Sequence, residues 1–102
     1  MHRITIEYGQ PADAEAFWDH YTTVHIPLAR GLPGLRRFYV SRPRGLGGQT
    51  PYLVAELWFD DADAMKSAMK SQEMAETSAD AQSFEVASMV MFTGAVEEVD
   101  IG

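Results

Sequence analysis
Four stretches of this chain alternate apolar and polar residues, and the two long gaps between the first and second and the third and fourth carry helical spacing. Met1 to Tyr8 sets Ile4, Ile6 and Tyr8 against Arg3, Thr5 and Glu7, the period-two pattern of a half-buried strand. Leu35 to Arg42 sets Phe38 and Val40 against Arg37, Tyr39 and Ser41. Tyr52 to Asp60 sets Leu53, Ala55, Leu57 and Phe59 against Tyr52, Val54, Glu56 and Trp58. Glu85 to Thr93 sets Val86, Val90 and Phe92 against Ala87, Met89 and Met91. Glycines and prolines crowd the segment from Pro43 to Pro51, which reads as a flexible hairpin loop between the second and third strands.

The first gap opens with Gly9-Gln10-Pro11, and Asp13 is placed to cap a helix whose first turn is suited by the charge of Glu15. Phe17, Tyr21, His25, Leu28 and Leu32 then recur at three-to-four residue spacing, so His25 points inward with its apolar neighbours. Pro27 offers no N–H to the carbonyl of Thr23 and disfavours a helical Ile26. The helix is therefore expected to run to about Thr23, break, and resume over Leu28 to Gly31 with Pro27 in its first turn. Gly31 and Pro33-Gly34 stop it. In the second gap Asp61 caps a helix with Met65, Ala68 and Met69 inward. Ser71 to Ser83 is polar and alanine-rich, with Met74, Ala75 and Ala79 as a weak apolar side, and reads as a second helical piece or a helix with an irregular middle.

Strand, helix, strand, strand, helix, strand with right-handed crossovers predicts an α+β domain over residues 1–102. Its expected form is a ferredoxin-like βαββαβ unit, a four-stranded antiparallel sheet with both helices on one face. Ile4, Ile6, Phe38, Val40, Leu53, Leu57, Phe59, Val86 and Val90 are expected beneath the helices. The other face would carry Tyr39, Val54, Trp58, Met89 and Met91 among Arg3, Arg37, Glu7 and Glu56. Burying a Trp and two Met side chains is worth roughly 1.5–3 kcal/mol each, and charges of both signs suit a symmetric contact. A homodimer with its two sheets face to face is expected, against the plainer alternative of a monomer with an apolar open face.

Composition removes several functions. A chain of 102 residues supports one core, and its 46% hydrophobic and 23% charged content is ordinary for a globular domain. Without cysteine there is no disulfide or thiolate metal site. A net charge of −7 disfavours nucleic acid and anionic membranes, and no stretch spans a bilayer or reads as a secretory leader, so a cytoplasmic location is the expectation. His20 and His25 are five apart and share no helical face, so no protein-built metal site is expected. The glycines at positions 45 to 48 lie in a hairpin rather than at the start of a helix, so nucleotide cofactors are not expected either.

His25 has the strongest chemical reading. An imidazole with an ordinary pKa of ~6.5 supplies a general base near neutral pH, and an apolar pocket favours its neutral form. The competing reading is a core histidine bonded to the carbonyls that Pro27 frees. Tyr21, one turn earlier, would orient it or give a proton to a substrate oxygen; packing explains Tyr21 equally well. Trp18 reads as a helix-edge packing residue, His20 as solvated beside Asp19, and His2 as peripheral.

Three phrases then carry a family resemblance over nearly the whole chain: Tyr8-x-x-Pro11 ahead of a helix, Val24-His25-x-Pro27-Leu28-Ala29-Arg30-Gly31-Leu32-Pro33-Gly34-Leu35, and Trp58-Phe59-Asp60 closing the third strand. The chain resembles the EthD family of the dimeric α/β-barrel superfamily, whose relatives are linked to ethyl tert-butyl ether degradation. The resemblance implies a ferredoxin-like protomer, a homodimer and a pocket between helices and sheet. Similar small dimers include a methylmuconolactone isomerase, polyketide cyclases and cofactor-free monooxygenases. His25 is the functional position that carries over; a tyrosine of the related isomerase falls on Phe38 here, while Tyr39 should face the opposite side of the sheet. The expectation is a cofactor-independent enzyme, monooxygenase-like or isomerase/cyclase-like, acting on a hydrophobic carbonyl or phenolic metabolite. His25 and Tyr21 would be its catalytic residues, with Tyr8, Phe17, Phe38, Leu57 and Phe59 holding the substrate. The alternative is a non-catalytic small-molecule-binding accessory protein.

Overall fold
A computed structural model describes residues 1–102. Its elements are β1 (His2–Tyr8), α1 (Ala14–His20), a π-helical turn (Tyr21–His25), α2 (Ile26–Ala29), β2 (Arg37–Ser41), β3 (Leu53–Phe59), α3 (Ala62–Met69), α4 (Gln72–Ala81) and β4 (Met89–Ala95). All strand pairs are antiparallel and the sheet order is β2-β3-β1-β4, the α+β arrangement that two crossovers impose. Asp13, Asp61 and Ser71 cap α1, α3 and α4, accepting from the N–H groups of Ala16, Ala64 and Met74. The core is one cluster of twelve buried residues, centred on Ile4, Tyr8, Tyr21, Leu53 and Phe59.

The first helix does not break at Pro27. Its backbone stays right-handed through the proline, and the strain is absorbed upstream by widening, with the N–H of Ile26 donating to the carbonyl of Tyr21. A π turn holds more residues per turn than an α-helix. Phe17, Tyr21, His25 and Ala29, each four residues from the last, therefore all stay buried on one line. Strict α spacing would have rotated the later members away. Leu28, expected inward, is only half-buried, and Ala29 takes its place.

Other assignments shift for local reasons. Met69 is exposed rather than inward, because α3 ends at that residue and the chain turns into α4. On α4, Ala75 and Ala79 are exposed and the inward line is Met74, Thr77 and Ala81. In the last strand the two faces are exchanged. Ile6 pairs with Met91 and Tyr8 with Met89, so both methionines share the helix side, while Val90 and Phe92 lie opposite with Glu7 and Thr5. Regular alternation from Val86 fails because β4 begins only at Met89; before it, Val86 makes an isolated bridge to Pro11 and the chain bends at Ala87. The open face thus carries Tyr39, Val54, Trp58, Val90 and Phe92.

Candidate active site
Between the sheet and the α1–α2 and α4 layer lies a cavity of about 260 Å³. β1 supplies Ile4, Ile6 and Tyr8 to its wall, β2 Phe38, β3 Ala55 and Leu57, and β4 Met89 and Met91. The helices supply Tyr21, His25 and Ala29 on one side and Met74, Thr77, Ser78 and Ala81 on the other, with Gln82 just beyond α4. This is a mostly apolar hollow with a few polar groups, the usual make-up of a small-molecule site.

The π turn aims two of those polar groups. His25 is 5% exposed and sits between two rings, Tyr21 with its centroid 5.1 Å away and Phe84 edge-on at 4.8 Å. Its Nδ1 lies 2.9 Å from Oδ2 of Asp80, at the end of α4. Oδ1 of the same carboxylate lies 2.7 Å from Nε2 of His20. Burial lowers the His25 pKa and Asp80 only partly restores it, so the imidazole stays below its ordinary 6.5 and is neutral at pH 7. Burial pushes the Asp80 carboxyl up, but the hydrogen bonds to His20 and His25 outweigh it and hold Asp80 below the ordinary carboxylate value.

Tyr21 is fully buried, and its hydroxyl has no hydrogen-bond partner. It is close enough to Tyr8 for each phenol to disturb the other's ionisation, yet Oη of Tyr21 completes no bond of proper geometry. Burial pushes Tyr8 up to about 12 and raises Tyr21 further, so both remain protonated donors at neutral pH. An orphan buried hydroxyl costs about 1–3 kcal/mol. Tyr21 is one of the residues that line the cavity, and its oxygen is itself enclosed.

The cavity brings together His25, Tyr21, Tyr8, Phe38 and Leu57 of the residues singled out in the sequence. Phe17 and Phe59 do not reach it. Phe59 is completely buried in the core, and Phe17 stacks on Tyr21 from behind and borders an outer cleft with His20 and Phe84. His20 is not merely solvated, since it shares Asp80 with His25. Asp80 and the polar wall of Thr77, Ser78 and Gln82 are not signalled by the sequence, because polar residues on or just past an amphipathic helix default to the solvent side; Phe84 lies in the irregular stretch between α4 and β4, outside any periodic pattern. No group of three His, Asp or Glu side chains is arranged to hold a metal ion.

Comparison with known proteins agrees with this architecture. An uncharacterized 11.0 kDa protein from the thcB–thcC intergenic region of Rhodococcus erythropolis is 36% identical over 86 residues, which is 82% of this chain and 84% of that one. A crystal structure of an ethyl tert-butyl ether degradation (EthD) family protein from Bacillus halodurans C-125 superposes with a TM-score of 0.86 at 33% identity, covering 95% of this chain and 99% of that one. SnoaB, a cofactor-independent oxygenase from Streptomyces nogalater, shares the fold at 12% identity with a TM-score of 0.71, over 99% of this chain and 97% of its own. The EthD domain model matches residues 9–86, the segment that holds all the helices and three of the polar cavity residues on α4 and its end. With most of its length matched in this way, the chain belongs to the EthD family.

Proposed function
We propose that the cavity is the active site of a small-molecule enzyme that works without a cofactor on a hydrophobic carbonyl or phenolic substrate. The neutral imidazole of His25 takes a proton from an acidic C–H or O–H group. Tyr21, protonated and without a partner, donates to the oxygen on which negative charge develops. Tyr8, Phe38, Leu57 and the two β4 methionines enclose the apolar part of the substrate. The anion so formed rearranges, cyclises or reacts with dioxygen; SnoaB, with the same fold, is a cofactor-independent oxygenase. The observation that carries this reading is the pairing of a buried neutral imidazole and an unpartnered phenol on one apolar hollow.

Turnover of a panel of aromatic and polyketide-like substrates tests it. His25→Gln is expected to lower kcat by about 10²–10⁴-fold, the usual worth of a positioned general base, while ligand binding survives. Undiminished turnover in a folded His25→Gln protein would remove the mechanism. A wild-type protein that binds members of the panel and converts none would instead be a small-molecule-binding accessory protein.

The functional unit is proposed to be a homodimer in which a second copy covers the open face of the sheet, giving a dimeric α/β barrel. Tyr39, Val54, Trp58, Val90 and Phe92 give that face its apolar centre, and Arg3, Arg37, Glu7 and Glu56 supply both signs of charge around it.

A further inference from the structure
One carboxylate joins the interior of the protein to its surface. The side chain of His25 is 6% exposed, that of Asp80 13%, and that of His20 43%, and the bonds between them run in that order. The three come from separate places, the end of the π turn, the end of α4 and the end of α1, so the arrangement is tertiary rather than a by-product of one helix.

An ionised carboxylate accepts hydrogen bonds and donates none. Both nitrogens facing Asp80 must then carry hydrogen, Nδ1 of His25 and Nε2 of His20. A neutral His25 held in this way keeps its lone pair on Nε2, the nitrogen not engaged by Asp80. We propose that Asp80 is a positioning residue that fixes His25 in the tautomer whose free, basic nitrogen is Nε2, and that His20 on the other oxygen regulates how strong a base His25 is. This rests on the general-base reading of His25. When His20 is protonated it claims the charge of Asp80 and repels a second positive charge on His25, so His25 binds a proton less readily. When His20 is neutral, the full carboxylate charge supports an imidazolium at His25. The other titratable groups facing the relay are Asp13 and Glu85, which border the outer cleft with His20, and the Tyr8 and Tyr21 phenols on the cavity side. Both phenols stay neutral where His25 titrates. The strength of the base in the cavity therefore depends on a side chain at the surface, through the carboxylate they share.

The test is ¹⁵N NMR of the full chain labelled at histidine, with no substrate present. At pH 8 the wild type is expected to show His25 with Nδ1 protonated and Nε2 bare. Asp80→Asn, whose amide also donates, is expected to turn that signal into a mixture of tautomers. His20→Gln is expected to keep the tautomer and raise the titration midpoint of His25 by about half a unit to one unit, the size of one like charge removed at this range. A wild-type His25 protonated at Nε2, or a midpoint that His20→Gln leaves in place, overturns the proposal. His20 is half-exposed, so its variant remains informative if Asp80→Asn does not fold. Because these signals need no turnover, their failure is distinct from failure of the enzymatic reading, which the kcat of His25→Gln decides.

Discussion
Tyr21 separates packing from function with the loss of one oxygen. Its ring lies against Tyr8, Phe17, Trp18, His25 and Phe84, and Tyr21→Phe keeps all of that aromatic surface. If the hydroxyl served stability it would have a partner; it has none. Removing an unpaired buried hydroxyl is expected to leave the melting temperature unchanged or raise it, by up to about 1–3 kcal/mol of stability. The same change is expected to weaken turnover, through loss of the donor to the substrate oxygen. Calorimetry and kinetics on one protein sample check both halves. His25 and Asp80 give a second prediction. The folded pKa of His25 lies below its ordinary 6.5, so the unfolded chain binds more protons as pH falls through that value, and stability is lost from about pH 6.5 down to the folded pKa. Asp80, held below its ordinary 3.8, adds stability that is present above that value and is lost on further acidification. Melting temperature is expected to decline in two stages as pH falls from about 7.5, and His25→Gln to flatten the upper stage and also weaken the lower one, because Asp80 then loses one of the two histidines that hold its carboxyl down.

At the scale of elements, what the sequence revealed depended on which side chains did the work. Apolar spacing placed Phe17, Tyr21 and His25 on one inward line, because burying rings leaves a periodic trace. It also suggested that Pro27 would disturb the helix there, but not the form of the disturbance. A π turn keeps the four-residue line going to Ala29, where ordinary α spacing would have moved it to Leu28. Alternation located β4 and misassigned its faces, since one bend at Ala87 shifts parity for every residue that follows. The carboxylate end of the site was not legible at all. Asp80, Ser78 and Gln82 look like solvent-facing residues until α4 is seen packed against α2 and the π turn. Ala29 shows the consequence for the cavity. It is 2% exposed and its methyl is the whole contribution of α2 to the wall. Ala29→Leu is expected to fill the hollow at modest cost in stability, about 1–3 kcal/mol at most, and to abolish ligand binding measured by calorimetry while the circular dichroism spectrum stays native.

For the whole molecule the informative element is β4. Every one of its residues is exposed, and Met89, Val90, Met91 and Phe92 stand in succession with between 41% and 55% of their surfaces open to solvent. It is also an edge of the sheet, since β1 pairs with it on one side alone. Four consecutive large apolar residues on an uncovered edge strand would be an aggregation site in a solitary domain, and neither proline nor lysine blunts this one. A second copy laid on the open face would cover Val90 and Phe92 together with Tyr39 and Trp58, which already pack edge-to-face at 6.2 Å. Trp58 is further fixed by Arg3 and Arg37, whose guanidinium carbons lie 5.6 and 6.0 Å from its ring centre. A rigid aromatic centre ringed by charge is the usual form of an interface whose energy is concentrated in a few residues. Phe92→Lys places a charge there without touching the cavity, which lies across the sheet. Light scattering is expected to show a wild-type dimer at micromolar concentration and, for Phe92→Lys, a dissociation constant raised at least about 30-fold, the equivalent of a 2 kcal/mol interface residue. A wild-type monomer would remove the dimer, and a variant that dimerises as tightly as the parent would place the contact elsewhere; either leaves the exposure of β4 without a partner to explain it.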